Sequence, residues 1–165
     1  MTIKKTTKPR ESSGFGKLTI WLLAGITLAA GSMLFSQQPA RAADVVVYKS
    51  PTCGCCKGWV SHLQGNGFFV EVHDQRDMNP VKAELGVPRH LQSCHTAKVG
   101  DYVIEGHVPA NDIKRLLEEK PAIAGLSAPG MPMGSPGMEG PRKDPYDVLT
   151  FQRGGKTTVY SRHNQ

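Results

Sequence analysis

Cys53, Cys55 and Cys56 crowd into the stretch SPTCGCCKGW, residues 50–59, and Cys94 is the fourth and last cysteine of the chain. Cys53 and Cys56 have CxxC spacing, which suits a pair cycling between dithiol and disulfide. At a helix N-terminus the first thiolate of such a pair is stabilised by free backbone N–H groups and the helix dipole. Cys55 does not belong to that chemistry, because a third thiol inside the motif competes for disulfide exchange. A metal gives it a purpose. Three thiolates on one tight turn make a soft pocket that selects Cu(I), zinc or iron–sulfur species over hard cations.

Cys94 decides whether the set converges. It stands at the mouth of a strand whose entering loop would face the cysteine turn in a thioredoxin-like sheet, so it is expected beside Cys53, Cys55 and Cys56. The plain alternative is a buried cysteine acting as a small hydrophobe. His95 alternates to the other face if the strand has begun, and is a further candidate ligand if it has not. Thioether sulfur binds Cu(I) and serves zinc poorly, so Met131, Met133 and Met138, whose MxMxxxxM spacing fits no helical or strand face, enter as further copper ligands or as gap-fillers. His62 is expected on the surface and His163 in a disordered or hairpin tail. His73 and His90 offer weaker evidence, and His107 is placed near either the site or solvent.

The elements that must position these residues follow from pattern. Asp44–Lys49 is a β-branched run ended by Ser50-Pro51, and Trp59, Val60 and Leu63 share one helical face before a Gly65-Asn66-Gly67 stop. The cysteines thus sit at a strand-to-helix junction. Residues 68–73 predict a second strand and 79–85 a short helix. Residues 94–99 and 102–106 predict two strands around Gly100-Asp101, and 109–119 a last helix. The order βαβαββα, with a cysteine motif after the first strand, is the thioredoxin-like α/β pattern of a small sheet with flanking helices. Residues 125–145 are rich in Gly, Pro and Met and read as neither helix nor regular strand. Residues 146–151 and 157–161 predict a terminal hairpin. A loop this long in a compact domain is expected to fold back over something.

The N-terminus sets the compartment. Five basic residues, from Lys4 to Lys17, precede an uncharged run from Leu18 to Phe35, then Pro39 and Ala40-Arg41-Ala42. This predicts a secretory signal peptide over 1–42, with an uncleaved membrane anchor as the alternative. Either places the body outside the cytoplasm, in the periplasm. Six of the 20 Lys and Arg but one of the 14 acidic residues precede position 43, leaving 14 basic against 13 acidic groups. The basic excess is thus mainly the leader's, and a nucleic-acid partner is set aside. The rest reads as one domain: a metal-binding core over 43–124, the loop over 125–145 and the hairpin over 146–165.

YKSPTCGCC, SCHTAKVGDYVIEGHVPANDIKRLL and PGMPMGSPGME, in that order, resemble the CopG-like periplasmic proteins, a family long catalogued as a domain of unknown function and described as metal-binding. The resemblance spans essentially the whole exported part. It implies a thioredoxin-like domain, a link to copper resistance, and a copper site made by Cys53, Cys55, Cys56 and Cys94. Two departures from true thioredoxins stand out: a cysteine precedes the second motif cysteine, and Ser93-Cys94-His95 replaces the proline before the third strand. Both weaken the case for general dithiol exchange.

The expected function is therefore a periplasmic copper-binding protein contributing to copper resistance. Its partners are copper ions and other periplasmic copper-handling proteins. Four thiolates around one Cu(I) would leave a charge of about −3, which favours sharing thiolates among several ions. The alternative from the enzyme class is a thiol-disulfide or copper-redox oxidoreductase in which Cys53 attacks and Cys56 resolves. A structural zinc domain is the third reading.

Overall fold

The computed structural model describes residues 44–165. The signal peptide or anchor read from residues 1–42 lies outside the described residues. Among those described, no helix is long and apolar enough to cross a membrane.

The elements form where local chemistry favours them. Val45–Lys49 (β1) is a β-branched strand whose Val45, Val47 and Lys49 face inward. The Lys49 ammonium stays partnered there, donating to Asp74 Oδ1 at 2.5 Å. The chain turns at Ser50–Cys53 and enters Gly54–Gly65 (α1), which buries Cys56, Trp59, Val60 and Leu63 along one stripe. Trp59 is fully buried and its indole N–H donates to Val108 O at 2.8 Å. Truncating such a residue to Ala costs about 3–5 kcal/mol. Val70–Asp74 (β2) and Asn79–Glu84 (α2, with Pro80 in its first turn) follow, then a 3₁₀ turn at Arg89–Leu91. His95–Val99 (β3) and Tyr102–Gly106 (β4) form a hairpin, and Ala110–Glu119 (α3) closes the first part of the fold.

The protein is a mixed α/β structure with one seven-stranded sheet in the order β2-β1-β3-β4-β5-β6-β7. β2 runs parallel to β1, β3 pairs antiparallel with β1, and β4 pairs antiparallel with β3. The core lies between this sheet and the helices: Val45, Val47, Trp59, Leu63, Ala97, Ile104, Ile113, Leu116 and Leu126 are all fully buried.

One expectation is corrected here. Residues 125–145 contain a strand: Gly125–Ala128 (β5) is buried at every position and runs parallel to β4. A Cβ at Gly125 would lie 1.9 Å from Val103 O, so the backbone approach that makes this strand admits only glycine. The feature that argued against a strand is the one that permits it. Tyr146–Phe151 (β6) and Thr157–His163 (β7) form the terminal hairpin. His163 ends β7 rather than trailing free, with Nε2 2.8 Å from Asp112 Oδ2 on α3.

Candidate metal centre

Cys53 is the N-cap of α1, and its Sγ accepts from the Cys56 N–H at 3.3 Å. Cys55 and Cys56 therefore lie in the first turn, and the three sulfurs project from one helix end because the strand-to-helix turn is so tight. Cys94 is the residue immediately before β3, and β3 pairs with β1, the strand that feeds the cysteine turn. That pairing brings the fourth thiol across. The sulfurs of Cys53, Cys55, Cys56 and Cys94 all lie within 4.8 Å of one another. Cys55 Sγ is 3.4 Å from Cys53 Sγ and 3.9 Å from Cys94 Sγ.

Cys53 and Cys56 are joined as a disulfide, while Cys55 and Cys94 are free thiols. In this state the cluster offers two thiols, since a disulfide cannot ligate as thiolates do. Burial, reinforced by neighbouring Cys55, pushes the Cys94 thiol up to about 12. A bound cation is the kind of partner that would bring such a thiol back to the thiolate.

Histidines extend the cluster. Cys94 Sγ is 3.1 Å from His107 Nε2 and 3.3 Å from His95 Nδ1, and Cys94, His95 and His107 make a second converging donor group. Both imidazoles are fully buried. Burial lowers the pKa of His107, and burial together with the charges of His107 and Lys82 lowers that of His95 well below the usual range. Both rings are thus neutral at pH 7 and carry a lone pair. For His107 its position follows from the partner: Nδ1 lies 2.7 Å from Pro136 O, which can only accept, so Nδ1 carries the proton and Nε2 turns its lone pair toward Cys94. His95 packs on Trp59 with ring centroids 4.3 Å apart, and its Nε2 is buried with no hydrogen-bond partner.

The Gly/Pro/Met loop is seated on this cluster at three points. Ser93 Oγ donates to Gly130 O, His107 donates to Pro136 O, and Gly137 packs against Gly58 of α1. A Cβ on Gly137 would meet Cys55 O at 2.5 Å and Trp59 N at 2.6 Å, so the loop crosses the cysteine turn at backbone contact. Met131 is exposed, and Met133 and Met138 are half-buried. The backbone of Met133 and Met138 is tied within residues 133–144: Gly134 donates to Met138 O at 2.8 Å and Asp144 to Met133 O at 2.9 Å.

Beneath Cys94 lies a network that the sequence reading missed. Glu105, fully buried, accepts from Lys82 Nζ at 2.5 Å and from the Ser93 N–H at 2.6 Å through Oε1, and from Thr96 Oγ1 at 2.7 Å through Oε2. The backbone just before Cys94 is thereby held by a buried ion pair. His62, expected on the surface, is half-buried and its Nε2 accepts from the Ala110 N–H at 3.1 Å, which caps α3 from α1. Burial lowers its pKa, as that contact with the neutral ring requires.

Known proteins resemble this chain. The family model described as "Protein of unknown function, DUF411" matches residues 91–138, which include Cys94, His95, His107 and the three loop methionines. No curated protein matches. Two solved structures do, both of the copper resistance protein CopG. Its form 1 is 44% identical with a TM-score of 0.70, over 76% of this chain and 100% of that one. Its form 2 is 44% identical with a TM-score of 0.69, over 74% and 99%. With that identity across the full length of the solved chains, and a four-cysteine cluster able to hold metal, the protein belongs to the family of the copper resistance protein CopG.

Proposed function

We propose that this chain is a periplasmic protein that binds Cu(I) through the thiolates of Cys53, Cys55, Cys56 and Cys94 and so contributes to copper resistance. The observation that carries the reading is the convergence of four sulfurs within 4.8 Å, from a helix end and a strand mouth far apart in sequence. Softness restricts the metal to Cu(I), zinc or iron–sulfur species, and the name of the solved relatives favours copper. His107, with its lone pair fixed toward Cys94, and His95 add nitrogen donors. Met131, Met133 and Met138 add thioethers in the loop held over the turn. The strand order β2-β1-β3-β4, with its single parallel pair, supports a thioredoxin-like core.

Loading begins with reduction of Cys53–Cys56, which frees two of the four thiols. Four thiolates on one Cu(I) would leave a charge of about −3 in a half-buried place, so sharing among several ions is favoured. The closed disulfide at the start of α1 also favours a second reading, an oxidoreductase in which Cys53 attacks and Cys56 resolves. Protein isolated from copper-grown cells without exposure to air separates these. Copper with four titratable thiols supports the copper site. Zinc that survives copper challenge contradicts it, and a metal-free disulfide that turns over with a reductant supports the enzyme.

A further inference from the structure

Cys55 and Cys94 are left over by the CxxC disulfide, yet they are not isolated from each other. One stands in the first turn of α1 and the other in the loop entering β3, with their sulfurs 3.9 Å apart. A disulfide needs about 2.05 Å. A cysteine side chain passing from one staggered χ1 well to the next carries its sulfur by roughly 3 Å, more than the gap to be closed. Both thiols are only partly buried, so a small oxidant can reach them. The Cys53–Cys56 bond beside them already occupies the other two sulfurs.

We propose that Cys55 and Cys94 form a second disulfide, so that the fully reduced chain gives up as many as four electrons and closes its own thiolate site on full oxidation. The oxidant is a disulfide, R–S–S–R. Cys55 sulfur attacks one R sulfur, the R–S–S–R bond breaks, and one RSH leaves with a thiol proton. Cys94 sulfur then attacks the Cys55 sulfur of the mixed disulfide. The Cys55–Cys94 bond forms and the second RSH carries off the other proton. Cys55 and Cys94 lose two electrons and the oxidant gains them. The chain thus has three states: four thiols, two thiols with Cys53–Cys56 closed, and none. That the last state releases a soft metal rests on the function proposed above; the bond itself does not.

The test uses metal-free full-length protein with Cys53–Cys56 closed, treated with oxidised glutathione. Thiol titration should fall from two to zero with no retained glutathione mass, and peptide mapping should recover a Cys55–Cys94 crosslink. Cys94→Ser should instead retain one glutathione on Cys55, which shows the missing resolver in a chain that keeps its other disulfide. Two persistent thiols in the wild type, a stable adduct on it, or crosslinks scrambled among Cys53 and Cys56 would overturn the proposal. Reducing the oxidised protein and adding Cu(I) then reads the metal separately: a second disulfide in a chain that never binds Cu(I) removes the copper reading and leaves the redox one.

Discussion

Cys94 Sγ lies 3.1 Å from His107 Nε2, and the other nitrogen of that imidazole is fastened to Pro136 O at 2.7 Å. One side chain therefore links the strand-mouth thiol to the loop that covers the cysteine turn. Ring orientation of this kind typically governs metal affinity as strongly as ligand identity. His107→Ala should weaken Cu(I) binding by about 10- to 100-fold in competition with a chromophoric chelator. It should also expose residues 129–141 to limited proteolysis. Unchanged affinity would remove His107 from the site.

The buried pair Lys82–Glu105 offers a stability prediction with an internal control. Glu105→Leu strands a buried ammonium and releases the Ser93 N–H, and should destabilise by about 3–5 kcal/mol in urea denaturation. Lys82→Met combined with Glu105→Leu removes both charges and should recover most of that loss. A double variant as unstable as the single one would show that the ionic partner is not the cause.

Gly137 and Gly54 are predicted to respond in opposite ways to alanine. Gly137 has φ +83 and backbone atoms of α1 within 2.6 Å of a would-be Cβ, whereas Gly54 has nothing within 4 Å. Gly137→Ala should cost about 1–3 kcal/mol through strain and overpacking, and lift the loop from the cysteine turn. Gly54→Ala should be neutral or stabilise by up to about 1 kcal/mol. Thermal melts of the two variants decide this, and equal shifts would contradict the close approach.

Acid should destabilise the metal-free fold. The pKa of His95 is lowered in the folded state, so below 6.5 the unfolded chain binds a proton that the folded chain refuses, and stability falls as pH drops. The loss begins near pH 6.5 and grows by about 1.4 kcal/mol per pH unit for that one group until its folded pKa is reached. Urea midpoints at pH 7.5 and 5.5 measure it. His95→Phe, which keeps a ring against Trp59, should flatten the slope; an unchanged slope would assign it elsewhere.

The strand-to-helix placement of the cysteines and the approach of Cys94 were legible because they follow from element order, which periodicity reveals. His107 was legible in principle. Continuing the β3–β4 register, Thr96↔Glu105 and Val99↔Tyr102, by two residues sets Cys94 opposite His107. The sequence leaves it between the site and solvent because no local pattern around the residue itself decides between them. β5 was hidden because a strand that needs glycine at its point of closest approach looks like a loop. Glu105 and Lys82 were hidden because sequence gives each a solvent-facing reading, and only a partner 23 positions away makes burial tolerable.

Anaerobic Cu(I) loading of the fully reduced chain tests the four-thiolate site most directly. The account predicts at least one tightly held Cu(I) per chain, retained against a competing chelator, with a loss of bound copper in Cys53→Ser. Less than one retained equivalent, unaffected by Cys53→Ser, would contradict it.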